Sequence, residues 1–396
     1  MVDLVRYEPF WGGYVFSYRG ELFLLDELED EVNLFVVRNK AHPENGLSAP
    51  IKVQLQFTNR CNARCPGCYV SSGQALLSEM SDAQLREILR KLRDWGVLQI
   101  EWSGGEVFAR KGFFDILAYA HDLGFEQNVL TNAVALGRKE GFAERLWQYV
   151  YAVQVSVDSA FEAFDDWLAL RRGWESVMIG LQQLCETKPE YGSVSVTTTL
   201  DMRNLDQLTI IAEALRPLPL TAWKLAKQIP NGRSFINDEE ADAMLWQSYR
   251  RLEPIREGYP ILIIHPFDVA SDPQDLFPVE WVTEPSARWF MYIAADGRVY
   301  PFPYYDGMAE FYLGHIDTST LEELWNTEPC QRLRAVTRQS TSACARCSQV
   351  CRMWFRGFSY FKEHDLLANP IHHPGCGIHR STIGGNHEAV AREACA

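Results

Sequence analysis

The sequence lacks the features that would connect it to a membrane or to a nucleic acid. Its longest apolar runs, such as YPILIIHPF, are far shorter than the roughly 18 residues that a membrane-spanning helix needs. Basic residues are outnumbered, with 38 lysines and arginines against 52 aspartates and glutamates, so the net charge is −14. An acidic surface is repelled by nucleic-acid phosphates and by anionic lipids. We therefore expect neither a nucleic acid nor a membrane as a partner.

A secretory signal is also missing, because the N-terminal stretch MVDLVRYEPF contains no apolar segment. These absences predict a cytoplasmic protein, in which clustered cysteines bind metal or carry out redox chemistry more often than they form disulfides. Seven of the ten cysteines are clustered. They are Cys61, Cys65, Cys68, Cys344, Cys347, Cys351 and Cys376.

Strand and helix patterns alternate over the middle of the chain. Between residues 51 and 229, six short apolar or alternating runs predict strands, and helical patterns lie between them. Such alternation favours parallel strands joined by right-handed crossovers. Six units predict an α/β fold built on a partial (β/α)6 barrel, with its chemistry in the loops after the carboxyl ends of the strands.

The segments on either side of this barrel follow other patterns. Residues 1–48 predict a small N-terminal α+β module, with two strands in GGYVFSYRGELFLL and a helix over residues 26–39. The barrel is placed at residues 49–235. Residues 236–396 predict a linking helix, a hairpin around Asp296 and Gly297, a helix over residues 319–336 and a cysteine-rich C-terminal extension.

The first three cysteines lie within eight residues, in a loop that follows the first predicted barrel strand. A structural zinc ion needs four nitrogen or sulfur ligands and would have to recruit the fourth from elsewhere in the chain. A four-iron, four-sulfur cluster can be held by three thiolates if one iron has no protein ligand. The spacing therefore favours an iron–sulfur cluster with one open iron, and zinc is the alternative.

The stretch CNARCPGCY resembles the cysteine motif of the radical S-adenosylmethionine (SAM) superfamily. The resemblance implies that the amino and carboxylate groups of SAM chelate the open iron of a [4Fe–4S] cluster. One electron from the cluster then cleaves SAM, and the resulting 5′-deoxyadenosyl radical abstracts hydrogen from the substrate. Two positions depart from the family pattern: Gly67 replaces an aromatic residue, and Val107 replaces a proline.

Further segments at successive strand ends resemble the SAM-binding motifs of this superfamily. WSGGEVF contains a GGE motif, whose glycines let backbone approach a ligand and whose glutamate accepts hydrogen bonds from the SAM ammonium. LTNA is similar to a TNG motif, QVSVDS offers a pair of ribose contacts, and KQIPNGRS is similar to a segment near the adenine. LALRRGW offers Arg171 or Arg172 to the SAM carboxylate. The implied SAM-binding residues are Gly104, Gly105, Glu106, Asn132, Ser156, Asp158 and Arg171.

The C-terminal cysteines form a second set in CARCSQVC and HHPGCG. Four thiolates can complete the shell of a structural zinc or of a [4Fe–4S] cluster, and spacing alone leaves both open. Together with the preceding hairpin and helix, this region resembles the SPASM extension of radical SAM enzymes, which carries two auxiliary clusters. Phe302 stands where a ligand of the first auxiliary cluster is expected. The resemblance thus implies one auxiliary [4Fe–4S] cluster that relays electrons. Its ligands would be Cys344, Cys347, Cys351 and Cys376.

SPASM-type enzymes commonly modify peptides or proteins. The leading hypothesis is therefore a radical SAM oxidoreductase that oxidises or cross-links a residue of a ribosomally made, leader-bearing precursor peptide. A strand edge of the N-terminal module could pair with an extended leader, although the module could instead be a lid on the barrel. The resemblance also implies an electron donor such as flavodoxin or ferredoxin. Asp306 and Tyr304, in PFPYYDG, are the candidate catalytic residues.

Two other functions stay open at the level of sequence. One is a radical SAM dehydrogenase or epimerase of a small metabolite such as an aminoglycoside sugar. The other is a non-catalytic electron carrier or a zinc-stabilised binding protein, which would not require the GGE, TN and SVD segments at successive strand ends.

Overall fold

The computed structural model describes residues 5–8, 13–18, 21–26, 47–228, 231–234, 236, 238–265 and 286–335. The predicted helix that follows residue 26 and the four C-terminal cysteines lie outside these ranges. None of the helices within the ranges combines the length and the hydropathy of a transmembrane segment.

Three antiparallel strands form an N-terminal sheet. They are β1 (Val5–Glu8), β2 (Gly13–Tyr18) and β3 (Glu21–Asp26). The predicted hairpin is confirmed, because β2 and β3 pair with Tyr18 opposite Glu21. Strand β1 adds to the other edge of β2. It is not predicted from the sequence, since four residues are too few to show a period.

Two buried side chains of β1 anchor this sheet to the barrel. The Arg6 guanidinium donates hydrogen bonds to the backbone carbonyls of Pro50 and Gly96, each over 3.1 Å. The Glu8 carboxylate accepts the Ser48 hydroxyl over 2.9 Å and lies 3.4 Å from Arg6 Nη2. Both side chains contact the segment just before the first barrel strand, so the N-terminal sheet lies at the end of the barrel opposite the strands' carboxyl ends.

Ten further strands form one central sheet. In chain order they are β4 (Lys52–Gln56), β5 (Gln99–Ser103), β6 (Glu126–Thr131), β7 (Ala152–Ser156), β8 (Ser193–Thr199), β9 (Ala222–Ala226), β10 (Leu262–Ile264), β11 (Phe290–Ile293), β12 (Arg298–Tyr300) and β13 (Gly314–His315). The strands β4 to β9 pair in parallel, each with the next along the chain, which confirms the predicted repeat. The sheet order is β10-β9-β8-β7-β6-β5-β4-β11-β12-β13. Among the described strands its ends do not join, so the barrel is partial.

Ten helices accompany these strands in the described ranges. They are α1 (Asp82–Asp94), α2 (Phe113–Asp122), α3 (Val134–Arg138), α4 (Phe142–Leu146), α5 (Phe161–Leu168), α6 (Gly173–Thr187), α7 (Leu208–Leu215), α8 (Asp238–Arg256), α9 (Leu321–Trp325) and α10 (Glu328–Ala335). Helix α1 begins as the sequence predicts: Ser81 and Gln84 form a capping box that satisfies two backbone N–H groups at the helix start. Its buried face consists of Leu85, Ile88, Leu89 and Leu92. This helical spacing packs one stripe of the helix on the sheet.

The predicted hairpin around Asp296 and Gly297 is confirmed as β11 and β12, with Tyr292 opposite Tyr300. Strand β11 also pairs in parallel with β4. The hairpin therefore continues the barrel sheet and brings the segment after β12 to the barrel mouth. The sheet crosses the predicted domain boundary at residue 235, and the boundary itself stays a prediction.

The prediction of one helix over residues 319–336 is wrong, because this segment forms the two helices α9 and α10. Thr320 and Glu323 form a capping box that starts α9. Pro329 lies in the first turn of α10, where its missing N–H breaks no hydrogen bond, whereas proline inside a longer helix would disrupt one. Cys330 is fully buried in α10.

The hydrophobic core lies between the central sheet and the helices. Trp102 on β5 and Trp223 on β9 are fully buried on this face. Residues at alternating positions, such as Glu101 and Lys224, point to the opposite, concave face, which we call the lumen. The lumen opens at the carboxyl ends of the strands, where the predicted site residues lie.

Candidate active site

A cavity of about 340 Å³ opens where the carboxyl ends of the parallel strands meet the cysteine loop, residues 59–73. Most of the residues predicted from the sequence line it. They are Cys61, Cys65, Cys68, Gly104, Gly105, Asn132, Ser156, Asp158 and Tyr304. Ligands of parallel α/β sheets bind at this edge, because the loops that follow the strands converge there. Motifs separated along the chain thus form one site.

Backbone hydrogen bonds shape the cysteine loop. Cys61 N donates to Gly73 O over 2.9 Å, which closes the loop at its base. Two sulfurs accept backbone N–H groups: Cys61 Sγ accepts from Ala63 N and Cys68 Sγ accepts from Ser72 N, each over 3.3 Å. N–H donors to sulfur stabilise the thiolate form and tune the potential of an iron–sulfur cluster.

The chemistry of these thiols fits metal ligation. Burial raises the pKa of Cys61 to about 11 and raises the pKa of Cys65 as well, so the protein alone favours neutral thiols. A bound cation reverses this preference, because metal ligation deprotonates a thiol. Three thiolates can hold a [4Fe–4S] cluster at three of its iron atoms, so the cysteine loop fits such a cluster.

The two glycines of the GGE segment admit the backbone of the cysteine loop. A Cβ on Gly104 would lie 2.8 Å from Thr58 O, and a Cβ on Gly105 would lie 2.5 Å from Arg60 O. Gly105 N also donates to Thr58 O over 2.8 Å. The prediction from sequence was close approach of the backbone to a ligand. The contacts that the structure describes are with Thr58, just before the cysteine loop, and with Arg60 inside it.

Arg233 ties the cysteine loop to the segment that follows β9. Its Nε donates to Cys65 O over 2.9 Å and its Nη1 donates to Ser72 O over 2.6 Å. Arg233 belongs to KQIPNGRS, which the sequence analysis singles out for a different reason. Its contact with the loop cannot be predicted from spacing, because 168 residues separate it from Cys65.

Gln228 also lies against this loop. A Cβ on Gly67 would be 2.8 Å from Gln228 Nε2, so a larger side chain would displace this amide. The contact gives a physical reason for glycine at a position where the family often has an aromatic residue.

Glu106 is buried and holds the end of β6. Its carboxylate accepts hydrogen bonds from Thr131 Oγ1 and Asn132 N, each over 2.8 Å, and from Phe108 N over 3.2 Å. Burial raises the pKa of Glu106, and these three donors oppose that rise. Glu106 is not part of the cavity wall formed by the described residues. Its predicted contact with the SAM ammonium stays a prediction.

The third residue of the TN segment has the left-handed backbone conformation that glycine favours in a TNG motif. Ala133 has a φ of +57°, in the left-handed region that favours glycine. The Asn132 side chain accepts a hydrogen bond from Val134 N over 3.1 Å and donates one to Asn62 Oδ1 over 2.9 Å. The substitution of alanine for glycine has therefore preserved the local conformation and the contact with the cysteine loop.

Asp158 joins the ends of β7 and β8. Its carboxylate accepts a hydrogen bond from Thr199 N over 2.7 Å, and Asn204 Nδ2 donates to the Asp158 carbonyl over 2.8 Å. Burial raises the pKa of Asp158 to about 7, with a further contribution from Asp201, while the Thr199 N–H opposes the rise. The carboxyl group thus faces the cavity close to its point of half-protonation at neutral pH.

The two arginines that the sequence analysis considers as partners of the SAM carboxylate are not among the residues that line the cavity. Arg171 and Arg172 are both exposed, and Arg172 forms an ion pair with Glu175 at 2.6 Å. Among the described residues, the basic side chains in the wall belong to Lys227 and Arg233. The role of Arg171 stays a prediction that the cavity does not support.

The two candidate catalytic residues are placed differently. Tyr304 lines the cavity, and its ring packs edge-to-face on Tyr69 with centroids 5.9 Å apart. Asp306 is not in the wall that the described residues form. Its carboxylate accepts the Tyr292 hydroxyl over 3.2 Å and lies 3.5 Å from Arg298 Nη2, so both oxygens have partners.

Aromatic rings occupy the region where the sequence lacks ligands for a first auxiliary cluster. The Phe302 ring lies 4.7 Å from the Phe290 ring and 4.7 Å from the Tyr304 ring, centroid to centroid. Such packing contributes to the stability of the barrel mouth.

Comparisons with known proteins bear on this site. A family model described as the radical SAM superfamily matches residues 55–215, and one described as an iron–sulfur cluster-binding domain, SPASM, matches residues 287–348. The sporulation killing factor maturation protein SkfB of Bacillus subtilis is 27% identical over 69% of this chain and 64% of its own length, so the chain spans slightly less than two thirds of SkfB. The mycofactocin maturase MftC of Mycolicibacterium smegmatis is 26% identical over 78% of this chain and 79% of its own.

Solved structures share the fold. Streptococcus suis SuiB bound to precursor peptide SuiA has a TM-score of 0.70 at 14% identity, over 93% of this chain and 97% of that one. The enzyme anSMEcpe with bound AdoMet and Cp18Cys peptide has a TM-score of 0.56 at 14% identity, over 76% of this chain and 86% of that one. The cysteine loop, the strand-end motifs and the two family matches agree: the chain contains a radical SAM region over residues 55–215 and a SPASM-type iron–sulfur region over residues 287–348.

Proposed function

We propose that the chain is a radical SAM enzyme that abstracts hydrogen from a residue of a peptide or protein, and that oxidation or cross-linking of a ribosomally made precursor is the outcome. The observation that carries this proposal is the single cavity that three cysteines share with the strand-end motifs. Relatives named as maturation protein and maturase, and a similar fold bound to a precursor peptide, support a peptide over a small metabolite such as an aminoglycoside sugar.

Cys61, Cys65 and Cys68 would hold the [4Fe–4S] cluster, and SAM would lie beside them. When bound, the cluster and SAM together supply a one-electron cleavage that yields a radical able to abstract hydrogen. Within the chain, Arg233 fixes the loop by its two hydrogen bonds to backbone carbonyls. Asp158 presents a carboxyl group to the cavity, suited to accept hydroxyl hydrogen bonds from a bound ligand.

The remaining assignments belong to the same proposal. Cys344, Cys347, Cys351 and Cys376 lie outside the described residues, and we assign them to one auxiliary [4Fe–4S] cluster that relays electrons. A flavodoxin or ferredoxin would supply the reducing electron. We keep the proposed division into residues 1–48, 49–235 and 236–396, with the first unit recognising a leader.

Anaerobic reconstitution tests this function. About eight irons and eight sulfides per chain are expected for two four-iron clusters, and strong reduction should convert SAM to 5′-deoxyadenosine. Cys65→Ala should abolish that conversion. Cys344→Ala should lose about half of the iron and still cleave SAM. A protein with intact clusters that forms no 5′-deoxyadenosine would refute the function, and zinc in place of the second cluster would refute the electron relay.

A further inference from the structure

The lumen below the cysteine loop is lined with polar side chains. Packed barrels fill this space with branched apolar residues. Here Asn128 Nδ2 donates to Glu101 Oε2 over 2.8 Å, and Gln54 Nε2 donates to Ser103 Oγ over 2.8 Å. The lumen residues that also line the cavity include Gln54, Glu101, Gln154 and Thr197. The cavity therefore extends from the cysteine loop into a polar floor.

Two lysines on the lumen face, neither of them in the cavity wall that the described residues form, have different partners. Lys52 Nζ lies 4.0 Å from Glu101 Oε2, and Glu126 adds a second favourable charge. Lys224 Nζ makes a long hydrogen bond of 3.4 Å to the neutral amide oxygen of Gln154. In the described part of the chain, no carboxylate lies within 4.0 Å of Lys224 Nζ. Burial lowers the pKa of Lys224, and the positive charge of Lys52 contributes in the same direction, whereas the more distant Glu101 carboxylate opposes the change.

Two polar atoms in the same space are also unpaired. Thr197 Oγ1 and Asn128 Oδ1 are buried and have no hydrogen-bond partner among the described residues. Thr197 on β8 is the register partner of Lys224 on β9, so the two side chains are neighbours on the lumen face. A hydroxyl and an ammonium that lie side by side can both donate hydrogen bonds to the two oxygens of one carboxylate.

The depth of Lys224 separates it from the cysteine loop. Four residues along the chain, Gln228 contacts the loop at Gly67. Ala226, at the end of β9, lines the cavity, and at about 3.3 Å per residue the Lys224 backbone lies about 7 Å further from that end of the strand. Lys224 is therefore further from the cysteine loop than the cavity residues of β9 are.

We propose that Lys224, together with Thr197, binds a carboxylate of the peptide substrate, namely the side chain of a glutamate or aspartate at or next to the reacting residue. The inference rests on the proposed function and specifies its substrate. A carboxylate would be in direct contact with the Lys224 ammonium, where the structure gives only the amide oxygen of Gln154, and would accept the Thr197 hydroxyl; a neutral amide would add no such ion pair. The SAM carboxylate has the same chemistry, so the test distinguishes the two sources.

The test uses the reconstituted enzyme with SAM and two capped probes, acetyl-Ala-Glu-Ala-amide and acetyl-Ala-Gln-Ala-amide, measured by isothermal titration calorimetry. The wild-type enzyme should bind the glutamate probe at least roughly tenfold more tightly, as a charge-assisted hydrogen bond in a buried site implies. Lys224→Met should abolish this preference, and Lys224→Arg should retain most of it. Lys111→Met, at an exposed lysine, is the matched control and should leave the preference unchanged.

Several results would overturn the proposal. They are equal affinity for the two probes, no binding of either, or a preference that survives Lys224→Met. A Lys224→Met enzyme with at least tenfold weaker SAM affinity and an unchanged probe preference would assign the carboxylate to SAM instead. Iron content and circular dichroism check the fold, and Lys224→Gln replaces the methionine variant if it loses its clusters. Formation of 5′-deoxyadenosine in the same samples tests the proposed function separately, because probe preference does not depend on it.

Discussion

Arg233 illustrates how one side chain can hold a loop in place, here the cysteine loop. Its guanidinium donates in two directions, to the carbonyls of Cys65 and Ser72, and these bonds span the part of the loop that contains Cys68. Arginine suits this task because its donors are fixed in a planar fork, whereas the three donors of a lysine lie on one nitrogen.

We predict that Arg233→Lys keeps the fold but retains iron less well. Loss of one charge-assisted hydrogen bond costs about 1.5–3 kcal/mol, so iron transfer to a chelator should be roughly tenfold faster. The measurement is the rate of that transfer under anaerobic conditions. Arg216→Lys, at an exposed arginine paired with Glu213, is the control. Equal rates for the Arg233 variant and the wild type would contradict the proposed tether.

Asp158 predicts a pH dependence of stability. Its folded pKa of about 7 is above the ordinary value of 3.8, so the folded state binds the proton more tightly than the unfolded state does. The carboxyl group therefore favours folding at low pH, and this contribution is lost as the pH rises from about 4 through 7.

Asp158→Asn should remove this loss, because the amide imitates the protonated acid and can still accept the Thr199 N–H. Relative to the wild type, the variant should gain a few degrees in Tm as the pH is raised from 5.5 to 8. Differential scanning calorimetry on matched anaerobic samples is the measurement. If the difference in Tm between the variant and the wild type is the same at both pH values, the raised pKa of Asp158 is refuted.

At the residue scale, prediction from sequence succeeds where the residues are near one another in the chain. The three cysteines and the Gly104–Gly105 pair reach the cavity as the motifs predict. The contact of Arg233 with the cysteine loop is not predicted, because it is made with a distant part of the chain. Arg171 is predicted from a local resemblance; its side chain is exposed, and its role stays a prediction.

Between elements, the turn after β5 packs tightly against the backbone of the cysteine loop. Gly105→Ala would place a Cβ 2.5 Å from Arg60 O, which is backbone and cannot move away as a side chain could. We predict a loss of about 1–3 kcal/mol in stability, measured by urea unfolding, together with a lower iron content.

Gly73→Ala is the matched control, since a Cβ there meets nothing within 4 Å and Gly73 lies at the base of the same loop. It should unfold at the same urea concentration as the wild type. If the Gly105→Ala protein is as stable as this control, the cysteine loop can move away from the added Cβ without a loss of stability, and the steric argument is contradicted.

Most barrel elements can be predicted, because each has the hydrophobic periodicity of a helix or of a strand in its own sequence. The helix α1 and the strands β4 to β9 are of this kind. The parallel pairing of β11 with β4 is different, since their register partners Phe290 and Lys52 are far apart in sequence and only the folded sheet brings them together. Likewise, the break between α9 and α10 depends on Pro329, whose effect the apolar pattern alone does not reveal.

For the molecule as a whole, the buried contacts of β1 decide how firmly the N-terminal sheet is held. Breaking a buried ion pair by removing one partner costs about 3–5 kcal/mol. We predict that Arg6→Met speeds hydrogen exchange in β1 and leaves the barrel strands unchanged, as measured by mass spectrometry. Arg90→Met, at an exposed arginine on α1, is the control. Unchanged protection of β1 would refute the anchor.

The fold class is the property that the sequence predicts most completely, since a strand–helix repeat admits few arrangements other than a parallel sheet. How the N-terminal sheet attaches is not predicted, because Arg6 and Glu8 read as ordinary surface charges in VRYEPF. Their role depends on backbone carbonyls of Pro50 and Gly96, which carry no signature in the sequence.

The position of Arg233 also determines when the metal site can be completed during synthesis. A ribosome that has just made Cys68 has made every ligand of the first cluster, yet the arginine that secures the loop is still to be translated. Nearly the whole barrel must emerge before that residue follows. On the proposed assignment, the cluster gains this tether only late in the synthesis of the chain, and a product truncated before Arg233 is expected to hold iron less firmly.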